Sequence, residues 1–343
     1  MHTKDYKNRI LVILSIPLVF LIICIGTSIG SSNINILDTI SILGNKLFNI
    51  PIESEIAATE VVIIWSVRLP RVILAFIVGG ALAVSGAVTQ SILKNNLASP
   101  YTLGVSSGAS LGVGMLIITG VSIGALGNLT MPVVGFFSSL ISMLLVLKIS
   151  RKADRSMSNT TIILVGMVFS LFASAMLTTA SALATEKMQS IAMWQMGSFG
   201  MKGWDYVKVG IPFYIVGIIG VMVFVREMDI LTFGEDVASS LGVNTIKVKR
   251  NLFILVSVLT GSAVALSGVI GFIDLIAPHI VRKIFGSKHI YVIPMSAVFG
   301  GCMMVITDLI SRTIIAPSQL PVGAITALIG APFFAYIYFS KSK

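Results

Sequence analysis

Two arginines flank a proline in "RLPRVILAFIVGG", residues 68–80, at the mouth of a long apolar run. A guanidinium stays charged and offers carboxylates a planar fork. Taking it to the centre of a bilayer costs on the order of 2.5–3.5 kcal/mol on insertion scales. Arg68 and Arg71 therefore need either a negative partner or an exit to water, where they would snorkel at the helix mouth. Further on, Asp308 stands one helical turn before Arg312, the i,i+4 spacing at which acid and base meet, and is expected to orient it. Glu235 and Asp236 open "GEDVASSLGV", where acids suit the positive end of a helix and Gly242 offers a stop. The histidines at 2, 279 and 289 are too scattered for a ligand set. His279, beside Pro278, reads as a structural cap, and no metal site is expected. Cys24 and Cys302 lie in apolar runs, which argues against a disulfide framework.

The elements that position these groups follow from composition. Of 343 residues, 55% are hydrophobic and 11% charged, with a mean hydropathy of +0.98. So few charges cannot cover a soluble domain of this size, so the chain reads as an all-α polytopic membrane protein. Apolar runs lie near 10–30, 70–91, 104–120, 130–149, 160–184, 206–225, 251–271, 275–286, 290–310 and 322–339. Most approach the ~20 residues that a span needs. The 275–286 run is too short and 104–120 marginal, as expected of broken helices packed inside protein. The first run is too long for a cleaved signal core and reads as a retained span.

Ten spans place both termini on one side. With the N-terminus inside, 17 of the 24 Lys and Arg residues face inward, as the positive-inside rule requires. Lys46, Arg68, Arg71, Lys187, Lys202, Lys208 and Arg312 remain outside. The net charge of +10 thus reflects inner loops, and no nucleic-acid partner is implied. "ALAVSGAV" at 81–88 resembles "AVALSGVI" at 263–270, and each leads to a proline, Pro100 and Pro278. The spans that hold them run in opposite directions, so two four-helix units of inverted topology are expected. Small residues at such spacing also serve ordinary helix packing. Ser85, Thr89, Gln90, Thr178, Thr179 and Ser181 could line a polar pathway or bond between helices. Asp274 falls near the outer end of the seventh span, where acids often mark ion paths. The segment 226–250 is long for a connector, and Val237, Leu241 and Val243 could form a small apolar stripe on it.

That segment resembles the coupling loop of ABC importer permeases. Together with "RLPRVILAFIVGGALAVSGAVTQSILKNNLASPYTLGVSSGASLG", "WQMGSF", "SGVIGFIDLIAPHIVRKIFG" and "DLISRTIIAPSQLPVGAITALIGAPFF", it is similar to the FecCD group over residues 60–339. The resemblance implies one BtuC-like (type II importer) permease domain, 1–343, in a bacterial cytoplasmic membrane with both termini cytoplasmic. It implies a second permease, identical or paralogous, two ATPase subunits beneath, and an extracytoplasmic binding protein or lipoprotein above. Arg68, Arg71 and Arg312 would meet glutamates of the binding protein. Gly234, Glu235, Asp236, Ala238, Leu241 and Gly242, within coupling helices at 234–249, would meet the ATPase. The chain has no Walker-type phosphate loop, so it is not itself expected to be an enzyme, and ATP with magnesium would sit on the partner. The implied cargo is a ferric siderophore, with haem or cobalamin as the alternative and an ion-coupled secondary transporter as the rival class. Asp274 and Asn96 depart from the family pattern, which has glycine and proline there.

Overall fold

The computed structural model describes residues 2–30, 34–51 and 56–340, the side chains of 2–5 and 336–340 excepted. In chain order the helices are α1 (His2–Ser28), α2 (Ile36–Phe48), α3 (Ala58–Val62), α4 (Leu69–Leu93), α5 (Val105–Thr119), α6 (Thr130–Ala153), α7 (Asn159–Leu183) and α8 (Met188–Gln195). They continue with α9 (Trp204–Val223), α10 (Val225–Leu231), α11 (Glu235–Ser240), α12 (Thr245–Ser267), α13 (Ile273–Phe285), α14 (His289–Thr313) and α15 (Val322–Ser340). Each of the ten expected apolar runs is a helix. Seven helical stretches are long and apolar enough to cross a membrane. The shorter α5, with 15 residues, and α13, with 13, begin inside the protein, as their length demands.

Helices α4–α7 and α12–α15 are the two inverted units. Helix α4 packs along α14 as α12 packs along α6, and α5 meets α6 as α13 meets α14. The repeated sequence supplies the break in each unit differently. Helix α4 continues through Gly86 to Leu93, and the chain turns back through a 3₁₀ turn, Pro100–Leu103, before α5. Helix α12 stops at Ser267, where Gly268 has φ +81° and lies against the Trp194 carbonyl. A Cβ at Gly86 would strike the Asp274 carbonyl, so glycine lets the break of the second unit lie directly on α4. This junction is almost wholly buried.

Three expectations change here. Pro70 does not open a helix mouth. The helix runs from Ala58 to Leu93 and widens to a π turn over Ile63–Arg68, which accommodates the missing proline N–H. Asp274 is not near the outer end of a span either. Phe272, at φ +69°, turns the chain back, and Asp274 opens α13 beside Gly86 and Gln90 in the last third of α4. Likewise Pro278 and His279 lie within α13 rather than at its entry.

Two opposite ends result. One carries the start of α1, held by Asn8 Nδ2 donating to Phe285 O at 3.0 Å, and the 225–250 segment; it is termed the loop face. The other carries the end of α1 and the three arginines, and is termed the arginine face.

Candidate functional site

At the arginine face all three guanidiniums turn inward. Arg68, Arg71 and Arg312 are 5%, 8% and 7% exposed, which differs from the free outer ring expected of docking residues. The reason is the end of α1, whose last carbonyls have no helical partner and carry the negative end of its dipole. Arg68 Nη1 donates to Ser28 O at 2.5 Å and Thr27 O at 3.3 Å, and Arg312 Nη2 donates to Gly26 O. Arg71 instead grips Asp308, with Nε at 3.0 and 3.1 Å from the two carboxylate oxygens and Nη2 at 2.8 Å from Oδ1. Arg312 Nε stands 3.7 Å from Asp308 Oδ2. Asp308 is therefore shared, and its main partner is Arg71. Lys202, in the loop before α9, donates to Leu266 O. Burial, and then Arg71, push its ammonium down to about 7.

The WQMGSF stretch ties two helices of the second unit together. Ser198 N donates to Ser267 O at 2.7 Å, while Val322 N and Gly323 N donate to Gly197 O and Met196 O, each at 3.1 Å. It thereby fixes the end of α12 to the start of α15. Next to it, α5, α7 and α8 enclose a groove of about 520 Å3 lined by Ser106, Ser110, Ser174, Thr178, Ser181 and Gln195 among others. No lining side chain is charged. Thr178 and Ser181 thus line this space, and Thr179 is exposed on α7 outside it. Ser85, Thr89 and Gln90 do not line it, because α13 and α14 cover that face of α4. The hydroxyls of Ser85 and Thr89 donate to carbonyls four residues back, and Gln90 Nε2 donates to Asp274 O at 3.2 Å.

At the loop face, Gly234 enters α11 at φ +125°, a conformation that L side chains rarely adopt. Gly242 ends it at φ +84°, with Val243 N donating to Ala238 O at 3.0 Å. Six-to-one closure with a left-handed glycine stops the helix as expected. Ala238 is fully buried, while Val237 and Leu241 stay 47% and 65% exposed. Phe233, 76% exposed, extends this apolar stripe, and Val243 packs inward against the core. Glu235 reaches back to Lys249 Nζ at 2.5 Å. Lys249 is 1% exposed and also donates to Asn159 Oδ1 at 2.9 Å and Met157 O at 3.4 Å.

Sequence reasoning passed over His289. Its Nδ1 lies 2.5 Å from Asp229 Oδ1 on α10, and its Nε2 lies 2.6 Å from Ser91 Oγ on α4. Arg282 continues the network to Ser91, Ala87 O and Gln90. Ser99 Oγ donates to Asp274 Oδ2 at the buried junction. The signal that could have found His289 was Asp229, an acid in the segment 226–250 that is long for a connector. Among the described residues no group of three metal-ligating side chains forms.

Ten apolar helices, eight of them in two inverted four-helix units, with a hydroxyl-lined groove and an apolar-faced helix on one end, define a membrane permease. The FecCD transport family model matches residues 18–340. The chain is 42% identical to an uncharacterized ABC transporter permease, YvrB, of Bacillus subtilis, over 94% of this chain and 91% of that one. It is 36% identical to the hemin transport system permease HmuU of Yersinia pestis, over 80% and 82%. A solved structure assigned to a metal-chelate type ABC transporter, in an inward-facing conformation, matches with a TM-score of 0.81 and 27% identity, over 96% of this chain and 99% of that one. This chain belongs to the FecCD transport family, the permeases of ABC importers, and its role is transport.

Proposed function

We propose that this permease, a single domain over 1–343, carries a ferric siderophore. The groove supports this reading. A bare iron ion demands carboxylate, imidazole or thiolate ligands, whereas these walls offer hydroxyls and one amide. Iron that passes such walls must arrive already wrapped, and an oxygen-rich chelate can exchange hydration for hydroxyl contacts without being held. Haem, the named cargo of the Yersinia pestis relative, is the second reading, since Met188 and Leu177 give part of the groove an apolar wall. The complex would comprise a second permease, two ATPases that hold ATP and magnesium at the loop face, and a binding protein at the arginine face. Both termini then lie in the cytoplasm of a bacterial cell. Uptake of a panel of labelled ferric siderophores, haem and cobalamin by the reconstituted complex tests the cargo. Siderophore transport dependent on ATP is expected. Saturable uptake of haem alone selects the second reading, and uptake by this chain alone on an ion gradient removes the importer assignment.

Docking follows from the partners already described. Arg68 and Arg312 both donate to carbonyl oxygens at the end of α1, Arg312 while standing 3.7 Å from Asp308, and a carboxylate accepts a bond about twice as strong as a carbonyl does. Glutamates of an arriving binding protein can therefore draw these two outward, while Arg71 stays with Asp308. Arg68→Glu should weaken binding-protein affinity at least tenfold at low salt and little at high salt, measured by surface plasmon resonance on the detergent-purified complex. Unchanged affinity at low salt would exclude Arg68 from docking.

A further inference from the structure

A second groove, of about 410 Å3, opens at the loop face between α6 and α12. Its floor is Leu144, Leu147, Met157 and Ile254, and its rim is Lys148, Arg151, Lys152 and Arg250. On α6 the series 144, 147, 148, 151 follows the i, i+3, i+4, i+7 rule, so one helical stripe passes from apolar to cationic within about 10 Å of rise. That is the distance over which hydrocarbon gives way to headgroups at one side of a bilayer. Both helices that form the groove are long and apolar enough to span.

The four cations are exposed, and among the described residues no acidic side chain pairs with any of them. The nearest acid in sequence, Asp154, is taken up in its own turn, accepting from Ser156 and Ser158. Hydrogen bonds from Ser156 and then Ser158 hold its carboxyl well below the usual range. Four like charges converge on one opening that an anion would relieve, above a floor that only hydrocarbon would fill. A soluble phosphate satisfies the rim and wastes the floor; a zwitterionic lipid satisfies the floor and brings its own cation to the rim.

We propose that this groove binds an anionic phospholipid, its phosphate among Lys148, Arg151, Lys152 and Arg250 and one acyl chain along Leu144, Leu147 and Ile254. Met157, in the floor, accepts a hydrogen bond from Lys249, which also holds Glu235 at the head of α11. The lipid therefore sits one residue away from the segment that faces the ATPase in the proposed complex. The site itself requires only that the chain spans a bilayer, so it stands or falls apart from the cargo.

Native mass spectrometry of the detergent-purified full chain tests it, using dioleoyl phosphatidylglycerol, phosphatidylcholine of the same chains, and inorganic phosphate. Phosphatidylglycerol should bind at least tenfold tighter than phosphatidylcholine, and millimolar phosphate should not displace it. Each cation near a bilayer surface contributes roughly fivefold to anionic-lipid binding. Arg151→Gln with Arg250→Gln should therefore lower phosphatidylglycerol affinity by more than tenfold, and Arg155→Gln with Lys247→Gln, exposed at the same end outside the groove, should not. Ile254→Trp, which fills the floor and keeps every cation, should also release the lipid, and serves if the arginine variant does not fold. Displacement by phosphate, equal losses in both paired variants, or retention by Ile254→Trp would each overturn the site.

Discussion

Asp308→Ala should be among the most destabilising single changes in this chain, lowering the melting temperature of the purified protein by roughly 5–15 °C. Asp308 is 1% exposed and is the one carboxylate that Arg71 and Arg312 share. Its removal leaves two guanidiniums, both at most 8% exposed, buried side by side with no counter-charge among the described residues. Breaking one member of a buried pair costs about 3–5 kcal/mol, since the orphaned charge keeps its desolvation penalty. Arg71→Ala should cost less, because Arg312 remains 3.7 Å from Asp308 and partly neutralises it. Arg71→Leu with Asp308→Leu removes the bidentate pair together, and should lose less than the sum of the two single changes. A melting temperature for Asp308→Ala within about 2 °C of wild type would show that the cluster bears no structural weight. The result also bears on docking, since an arginine bound by two carboxylate oxygens is poorly placed to serve a visiting protein.

The ten spans were legible because each is a run of apolar residues, and no other element of the fold leaves so plain a trace. The short run at 275–286 and the marginal one at 104–120 were read as broken helices packed inside protein, and α13 and α5 do start at buried residues, Ile273 and Val105. Helices α2, α8 and α10 were not read, since at 13, 8 and 7 residues they are shorter than the apolar spans that organised the reading, although α10 buries Val225, Met228 and Leu231 at helical spacing. The pairing of Asp308 was half legible. Its neighbour Arg312 lies at helical spacing, whereas Arg71 lies 237 positions away in sequence and only tertiary packing brings it near. For the same reason Ser85 and Thr178 look alike on paper. Both are hydroxyls on apolar helices, and what separates them is that α13 and α14 cover one while the other is exposed in the groove. Asp274 shows the limit most clearly, because a single left-handed residue, Phe272, decides whether it ends one helix or begins the next.

Glu235→Gln should separate ATP hydrolysis from uptake in the proposed importer. Glu235 opens α11, and Phe233 before the helix, Val237 within it and Leu241 at its end are exposed at the loop face. Among the described residues its carboxylate is the charged partner of Lys249, which also holds Asn159 at the start of α7 and the Met157 carbonyl before it. Through this ammonium, a displacement of α11 is felt by α12 and by α7, the helix that carries Thr178 and Ser181 in the groove. A hydrogen bond between charged groups contributes about 1.5–3 kcal/mol, and a loss of that size in coupling between two sites is about 10–100-fold. Glutamine keeps the shape and one acceptor but removes the charge. ATP-driven uptake by the reconstituted complex should therefore fall by about that factor while basal ATPase activity persists. In a cycle with Lys249→Met, the double variant should be less impaired than the product of the two single changes, because each alone strands the other's charge. Loss of ATPase stimulation and uptake together would instead mean that α11 no longer reaches the ATPase. Unimpaired uptake in Glu235→Gln would show that motion enters the membrane by another route, for which the Asp229–His289–Ser91 bridge is the next candidate.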